Sequence, residues 1–109
     1  MSTFFIKQHD TLPEIAVTLL RPSGAPVDLT AAVSARLLFR LHGGGTPVAR
    51  VATIEAPRTS GRLRYAWVDE DTEAAGVYDL EWEVTWSLGR LQTFPNASYD
   101  ALIVTADID

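Results

Sequence analysis

The segment from Tyr78 to Trp86 alternates apolar and polar side chains without a break. The apolar set is Tyr78, Leu80, Trp82, Val84 and Trp86, and the polar set is Asp79, Glu81, Glu83 and Thr85. Successive side chains of a β-strand point to opposite faces, so a period of two predicts a strand. We expect its aromatic face to be buried and its acidic face to meet water.

The same period recurs in short segments that Gly, Pro, Asn and Asp separate, which is typical of an all-β sandwich or barrel. We predict seven to eight strands, at residues 4–8, 14–20, 33–42, 48–55, 62–67, 78–86, 90–94 and 99–106. Residues 48–55 alternate poorly and predict an edge or bulged strand. Residues 68–75 are acidic and predict at most one helical turn, with Asp69 as its N-cap.

The predicted core consists of the apolar side chains that occupy every second position of these strands. It contains Leu37, Phe39, Tyr65, Tyr78, Leu80, Trp82 and Val84, and the parity of the third strand adds Val33 and Leu41. If the third strand is a neighbour of the 78–86 strand, Glu81 and Glu83 meet Arg36 and Arg40 across the outer face. Exposed pairs of this kind are worth about 0.2 to 1 kcal/mol each, so burial of the aromatic face dominates stability.

Length and composition narrow the class of protein. A chain of 109 residues predicts one domain, residues 1–109, and no apolar run approaches the about 18 residues that cross a bilayer. Nine basic and fourteen acidic residues give a net charge of -5, which disfavours nucleic acid as a partner. The N-terminus does not have the form of a secretion signal, so we expect synthesis in the cytoplasm and no membrane partner. The chain has no cysteine, which excludes disulfides and thiolate chemistry.

Several residue groups suggest chemistry, but each has a simpler explanation. The acidic 69–73 corner offers oxygen ligands for calcium but lacks EF-hand spacing. His9 and His42 have no nucleophile motif beside them, and Gly43-Gly-Gly45 lacks the Lys-Ser/Thr of a phosphate loop. Glu81 and Glu83 have a spacing that glycosidases use, but alternation alone explains it. Asn96-Ala-Ser98 matches a glycosylation acceptor without a secretion signal. We therefore predict no enzyme, metal or cofactor.

Three tryptophans could form a carbohydrate platform. Trp82 and Trp86 share the core-facing parity of their strand, which favours burial, and Trp86 lies nearest the strand end. Trp67 shares its parity with Leu63 and Tyr65. A glycan- or calcium-binding adhesion module, which would use an exposed tryptophan or the acidic corner, remains the alternative function.

Three segments resemble the immunoglobulin-like (Ig-like) domains of tailed-phage virion proteins, and above all the N-terminal domain of baseplate upper proteins and related small phage structural proteins. They are Phe5-Ile-Lys-Gln-His-Asp-Thr-Leu-Pro13, Pro26-Val-Asp-Leu-Thr30 and Asp71-Thr-Glu-Ala-Ala-Gly-Val-Tyr-Asp-Leu-Glu-Trp-Glu83. Gly61-Arg-Leu-Arg-Tyr65 and Thr93-Phe-Pro-Asn-Ala-Ser-Tyr99 fit the remaining slots, so the likeness spans nearly the whole chain. Baseplate upper proteins continue into long further regions, whereas this sequence stops at Asp109.

The resemblance implies an Ig-like antiparallel β-sandwich that serves as a non-enzymatic structural part of a virion, at the baseplate, tail, neck or head surface. It implies other virion structural proteins as partners, a homo-oligomer in the particle, and Tyr78 as a tyrosine corner whose hydroxyl bonds to upstream backbone. The predicted edge strands make residues 4–8 and 48–55 candidates for β-augmentation. The candidate interface residues are Phe4, Phe5, Ile6, Val51 and Trp86.

Overall fold

A computed structural model describes residues 3–94 and 101–108, and these residues form eight strands. The strands are β1 (Thr3–Lys7), β2 (Ile15–Thr18), β3 (Ala32–Leu41), β4 (Val48–Ile54), β5 (Arg62–Tyr65), β6 (Gly76–Trp86), β7 (Leu91–Phe94) and β8 (Ala101–Thr105). Single 3-10 turns span Arg58–Ser60, Asp69–Thr72 and Ser87–Gly89. The predicted all-β fold of seven to eight strands is confirmed. The candidate glycosylation site at Asn96 and the first residues of the predicted last strand lie outside the described residues.

The strands follow the order β1-β8-β6-β3-β4-β5-β2, and β7 pairs with β6 beside β8. Every pair is antiparallel except β1 with β8, which run parallel, so the prediction of a purely antiparallel sandwich is corrected at this pair. The chain thereby curls into a nearly closed, barrel-like sandwich with β1 and β2 at its two open ends. No helix in the described ranges is long and apolar enough to cross a membrane.

Strand β4 connects the two layers of the sandwich. Its residues 48–52 pair with β3, and Thr53 and Ile54 pair with β5. Residues 48–55 were predicted to form an edge or bulged strand, and the edge alternative is wrong, because β4 lies between β3 and β5 in the strand order.

The interior is apolar and comes from both layers. Six of the seven predicted core residues are buried, namely Leu37, Phe39, Tyr65, Leu80, Trp82 and Val84. Tyr78 is half-buried and packs against this core with its ring edge-on to Phe39. Its hydroxyl donates to the carbonyl of Ala74 at 2.7 Å, which is the upstream backbone bond of a tyrosine corner.

The start of β3 departs from simple alternation. Ala32 pairs with Trp86 while Ser34 pairs with Thr85, so Val33 is an extra residue in a β-bulge. Ala32 consequently faces the core and Val33 is exposed, which contradicts the expectation that Val33 points inward. Leu41, at the other end of the strand, is also exposed rather than buried.

Candidate interaction surface

Strand β1 presents an edge that no described strand covers. In a parallel ladder every second residue directs both its N–H and its C=O toward the partner strand. Gln8 donates its backbone N–H to Thr105, so the even-numbered residues of this segment face β8. Thr3, Phe5 and Lys7 therefore direct their backbone polar groups away from β8, toward the open edge.

The open edge has a defined end. The backbone N–H of His9, which has the same parity as Lys7, donates to Thr72 at 3.0 Å. The Lys7 carbonyl accepts the N–H of Asp10 in a turn at 3.1 Å. The Thr72 hydroxyl also donates to the Asp10 carbonyl at 2.9 Å. The chain after Lys7 is thus tied to the 69–72 turn, so the described part of the free edge ends at Lys7.

An apolar row crosses the outer face beside this edge. The pairing places Phe5 next to Ile103, and Ile103 next to Val77, on three neighbouring strands. Phe5 is 62% exposed, Val77 is exposed and Ile103 is half-buried. We call Phe5, Ile103 and Val77 the outer apolar row. Exposed apolar side chains that adjoin one another, unlike scattered ones, indicate a contact surface.

The five candidate interface residues differ in how far their side chains are exposed. The Phe4 and Ile6 side chains are buried in the core rather than presented to a partner, and Phe4 packs against Trp67 with ring centroids 5.9 Å apart. Phe5 is the member of this trio that faces solvent. Val51 is 79% exposed on the outer face of β4, far along the sheet order from β1.

Trp86 is half-buried at the end of β6. Its indole Nε1 donates to Gln92 Oε1 at 3.1 Å, and its backbone N–H donates to the Arg90 carbonyl at 2.7 Å. A cavity of about 340 Å³ is lined by Trp86, Ser87, Arg90, Leu91 and Gln92. Trp67 and Trp82 are buried, so three tryptophans do not form a sugar platform.

The acidic corner is a structural node in which Asp71 is buried. One Asp71 oxygen accepts a hydrogen bond from Arg50 Nε at 2.8 Å, and the other accepts the Tyr65 hydroxyl at 2.5 Å and the Val68 N–H at 3.0 Å. In the Val68 contact, the side chain of the third residue of the turn accepts the backbone N–H of the N-cap, as in one half of a capping box. The N-cap is therefore Val68 and not Asp69 as predicted. The donors of all three hydrogen bonds to Asp71 are residues of this chain.

The node changes the acidity of its partners. Burial, followed by the hydrogen bond to Asp71, raises the pKa of Tyr65 well above its ordinary value of 10.0. The hydrogen bond to Asp71 likewise raises the pKa of Arg50. Asp69 is mostly exposed and contacts His9 Nδ1 at 3.2 Å. Across the described part of the chain, no group of three or more His, Asp or Glu side chains could hold a metal ion.

The two histidines contact different carboxylates. His9 pairs with Asp69 after β1, whereas His42 Nδ1 lies 3.0 Å from Asp79 Oδ1 at the end of β3. The predicted carboxylate pair is also divided, because Glu83 binds Arg36 Nη2 at 2.6 Å and the structure gives Glu81 no ion pair. A shallow cavity of about 230 Å³ beside Glu81 is lined by Leu38, Arg40, Pro47 and Asp79.

Sequence reasoning missed two residues of the outer apolar row. Val77 has the parity of Asp79 and Glu81, and Ile103 has the parity of Ala101 and Thr105. Both are apolar residues on the outward parity of their strands. That signal, an apolar residue where alternation demands a polar one, was present in the sequence. Their alignment with Phe5 depends on the parallel pairing of β1 with β8.

Neither the family models nor the curated proteins with which the chain was compared give a match.

Proposed function

We propose that this chain is a non-enzymatic structural component of a tailed-phage or phage-derived virion, an Ig-like module that assembles through protein–protein contacts. The observation that carries the proposal is the free edge of β1 with the outer apolar row beside it. An unpaired strand edge is a template for another strand, and an adjoining apolar face adds burial to the backbone hydrogen bonds.

The residues that resemble virion proteins support this proposal in a second way. The segment 71–83 contains Asp71, which joins the 69–72 turn to Arg50 and Tyr65, and Tyr78, which forms the corner bond to Ala74. Both contacts hold a turn against the sandwich and leave the outer face of the sheet for other proteins. A rigid sandwich with an exposed edge suits a part that holds its neighbours in fixed positions.

In this role the protein resides in the virion after synthesis in the host cytoplasm. Its partners are other structural proteins of the baseplate, tail, neck or head surface, and several copies surround a symmetry axis. Its contacts require neither nucleic acid nor a membrane.

Mass spectrometry of purified particles tests the assignment directly. We expect the chain in the particle in a fixed ratio to the capsid and tail proteins, and we expect its gene among theirs. We also expect the purified chain to co-purify with a structural protein encoded beside it. Absence from purified particles, together with no binding to any neighbouring gene product, contradicts the proposal.

The adhesion alternative has its own readout. Trp86 lines an open cavity, so sugar binding there must change tryptophan fluorescence. Titration with a panel of mono- and oligosaccharides, and separately with calcium, is expected to leave the emission spectrum unchanged. A saturable shift that a Trp86→Phe variant abolishes favours the glycan module over the virion component.

A further inference from the structure

We propose that two copies of this chain pair through their β1 strands, antiparallel and about a two-fold axis that passes beside Phe5. The pairing joins the β1 ends of the two sandwiches into one continuous sheet. It concerns the chain alone and does not depend on the assignment to a virion.

The backbone groups of the free edge match this arrangement. Phe5 is the central residue of Thr3–Lys7, and its N–H and C=O both face the open edge. Around a two-fold axis beside Phe5, the two Phe5 residues exchange both backbone bonds as a hydrogen-bonded antiparallel pair. Lys7 of each copy then donates its N–H to the Thr3 carbonyl of the other.

Other registers leave donors unused or clash with existing bonds. A register that sets Phe5 opposite Lys7 brings His9 opposite Thr3, but the His9 N–H already donates to Thr72. A register that sets Phe5 opposite Thr3 pairs only those two residues within the described part of the edge, because Lys7 then faces a position outside the described residues. The two-fold register centred on Phe5 gives a partner to both backbone groups of Phe5, to the Lys7 N–H and to the Thr3 carbonyl, and it leaves the Lys7 carbonyl with its existing bond from Asp10.

The side chains are complementary in the same register. The outer apolar row of each copy ends at Phe5, so the two rows join into a line of six apolar residues with the two phenyl rings opposite each other at its centre. Cross-strand aromatic pairs stabilise antiparallel strands. Lys7 is the one charged residue of β1, and it faces Thr3 rather than a second lysine.

Pairing of β1 with β1 in a second copy also accounts for a closed assembly better than repeated pairing of β1 with β2 does. A β1 edge that paired with β2 of the next molecule would repeat without closing and would produce open assemblies. The two-fold pairing of β1 with β1 is complete at two copies, because each copy covers the free β1 edge of the other. Light scattering distinguishes these arrangements by mass.

Size-exclusion chromatography with light scattering tests the pairing, with two lysine substitutions as a matched pair. We expect a dimer for the unchanged chain and for Val51→Lys, because Val51 is as exposed as Phe5 but lies on β4. We expect Phe5→Lys to dissociate at least about tenfold more readily, because it sets like charges directly opposite each other and removes the aromatic pair. Circular dichroism and thermal melting of both variants show whether each is folded.

Cysteine cross-linking locates the contact independently. The chain has no cysteine, so a Phe5→Cys variant carries a single thiol. Hydrogen-bonded antiparallel pairs have Cα atoms about 5.5 Å apart, a separation that a disulfide spans. We expect mild oxidation to convert Phe5→Cys to a covalent dimer, and Val51→Cys to remain uncross-linked at the same concentration.

Three results would overturn the pairing: a monomeric unchanged chain, a folded Phe5→Lys variant that stays dimeric, or equal cross-linking of the two cysteine variants. Species larger than dimers that Phe5→Lys abolishes would favour β1–β2 contacts instead. None of these results bears on particle membership, which is measured on purified virions. The failure of one proposal is therefore distinguishable from the failure of the other.

Discussion

Tyr65 and Asp71 form a buried hydrogen bond in which the phenol hydroxyl donates to a carboxylate oxygen at 2.5 Å. Tyr65 ends β5 and Asp71 lies in the turn that follows, so the bond attaches the turn to the sandwich. Arg50, from β4, neutralises the same carboxylate. A group that looked in the sequence like a cation ligand is instead internal support for the fold.

Removal of the Asp71 carboxylate is expected to destabilise the protein severely. Asp71→Ala leaves the Tyr65 hydroxyl, the Val68 N–H and the Arg50 guanidinium without their acceptor, and the free energy of unfolding should fall by about 3 to 5 kcal/mol. Asp69→Ala is the control, since the Asp69 side chain is 70% exposed and its loss should cost no more than about 0.5 kcal/mol. Urea unfolding measures both, and equal effects of the two substitutions would refute the structural role.

Alkaline pH should destabilise the fold through Tyr65. Its pKa is raised in the folded protein from 10.0, so folding favours the neutral phenol. Below pH 10 this contribution is fully present. Above pH 10 the unfolded chain loses the Tyr65 proton while the folded protein keeps it, and stability falls by up to about 1.4 kcal/mol per pH unit. Urea midpoints from pH 8 to 11 should fall less steeply for Tyr65→Phe, and parallel curves for the two proteins would contradict this prediction.

Arg36 and Glu83 should couple weakly across β3 and β6. They are direct cross-strand partners, with Nη2 and Oε1 2.6 Å apart, but 45% of the arginine side chain is exposed to water. A double-mutant cycle to alanine should give a coupling of about 0.2 to 1 kcal/mol that declines with added salt. Arg40 and Glu81 make no ion pair in the described structure, and their cycle should give zero within error. A larger coupling for Arg40 and Glu81 would show that the outer face is arranged differently.

Gly61 should tolerate no side chain. It has φ of +68°, and a Cβ there would lie 2.9 Å from the backbone oxygens of both Leu19 and Val27. Gly61→Ala should therefore lower the free energy of unfolding by at least about 3 kcal/mol, the sum of the left-handed penalty and the overlap. Gly24→Ala isolates the first contribution, since Gly24 has φ of +90° with open space around it, and should cost about 1 to 2 kcal/mol. Thermal unfolding of the two variants should show the difference, and indistinguishable midpoints would argue against the overlap.

Alternation predicted most of the interior correctly because a buried strand must place its apolar residues at every second position. Leu80, Trp82 and Val84 are buried, and the predicted meeting of Arg36 with Glu83 is confirmed. The same reasoning failed at Val33, because one bulged residue reverses the parity of everything before it. The bulge is a property of the pairing with β6, which a single segment does not reveal.

The edges were harder to predict than the core. Residues 48–55 looked like an edge because their alternation is blurred, but exposure alternates regularly along β4. The sequence pattern is blurred because Arg50, on the inward parity, binds the buried Asp71 while the apolar Val51 faces outward. The phenylalanines at the N-terminus posed the reverse problem. Because Phe4 and Phe5 lie on opposite faces of the strand, the sequence indicated that one of them is left for a neighbour, and only the face that packs on the core identified it as Phe5.

The sequence by itself determined most of the apolar side chains that avoid water and roughly where each strand begins and ends, since both follow from local chemistry and local backbone preference. Only the tertiary structure decided which strands are neighbours, that β1 runs parallel to β8, and that Phe5, Ile103 and Val77 form one row. It also decided that Asp71 binds Arg50 rather than remaining in water. The physical reason is that pairing and burial depend on residues far apart in the chain, whose meeting is set by the packing of the whole sandwich and by no single segment.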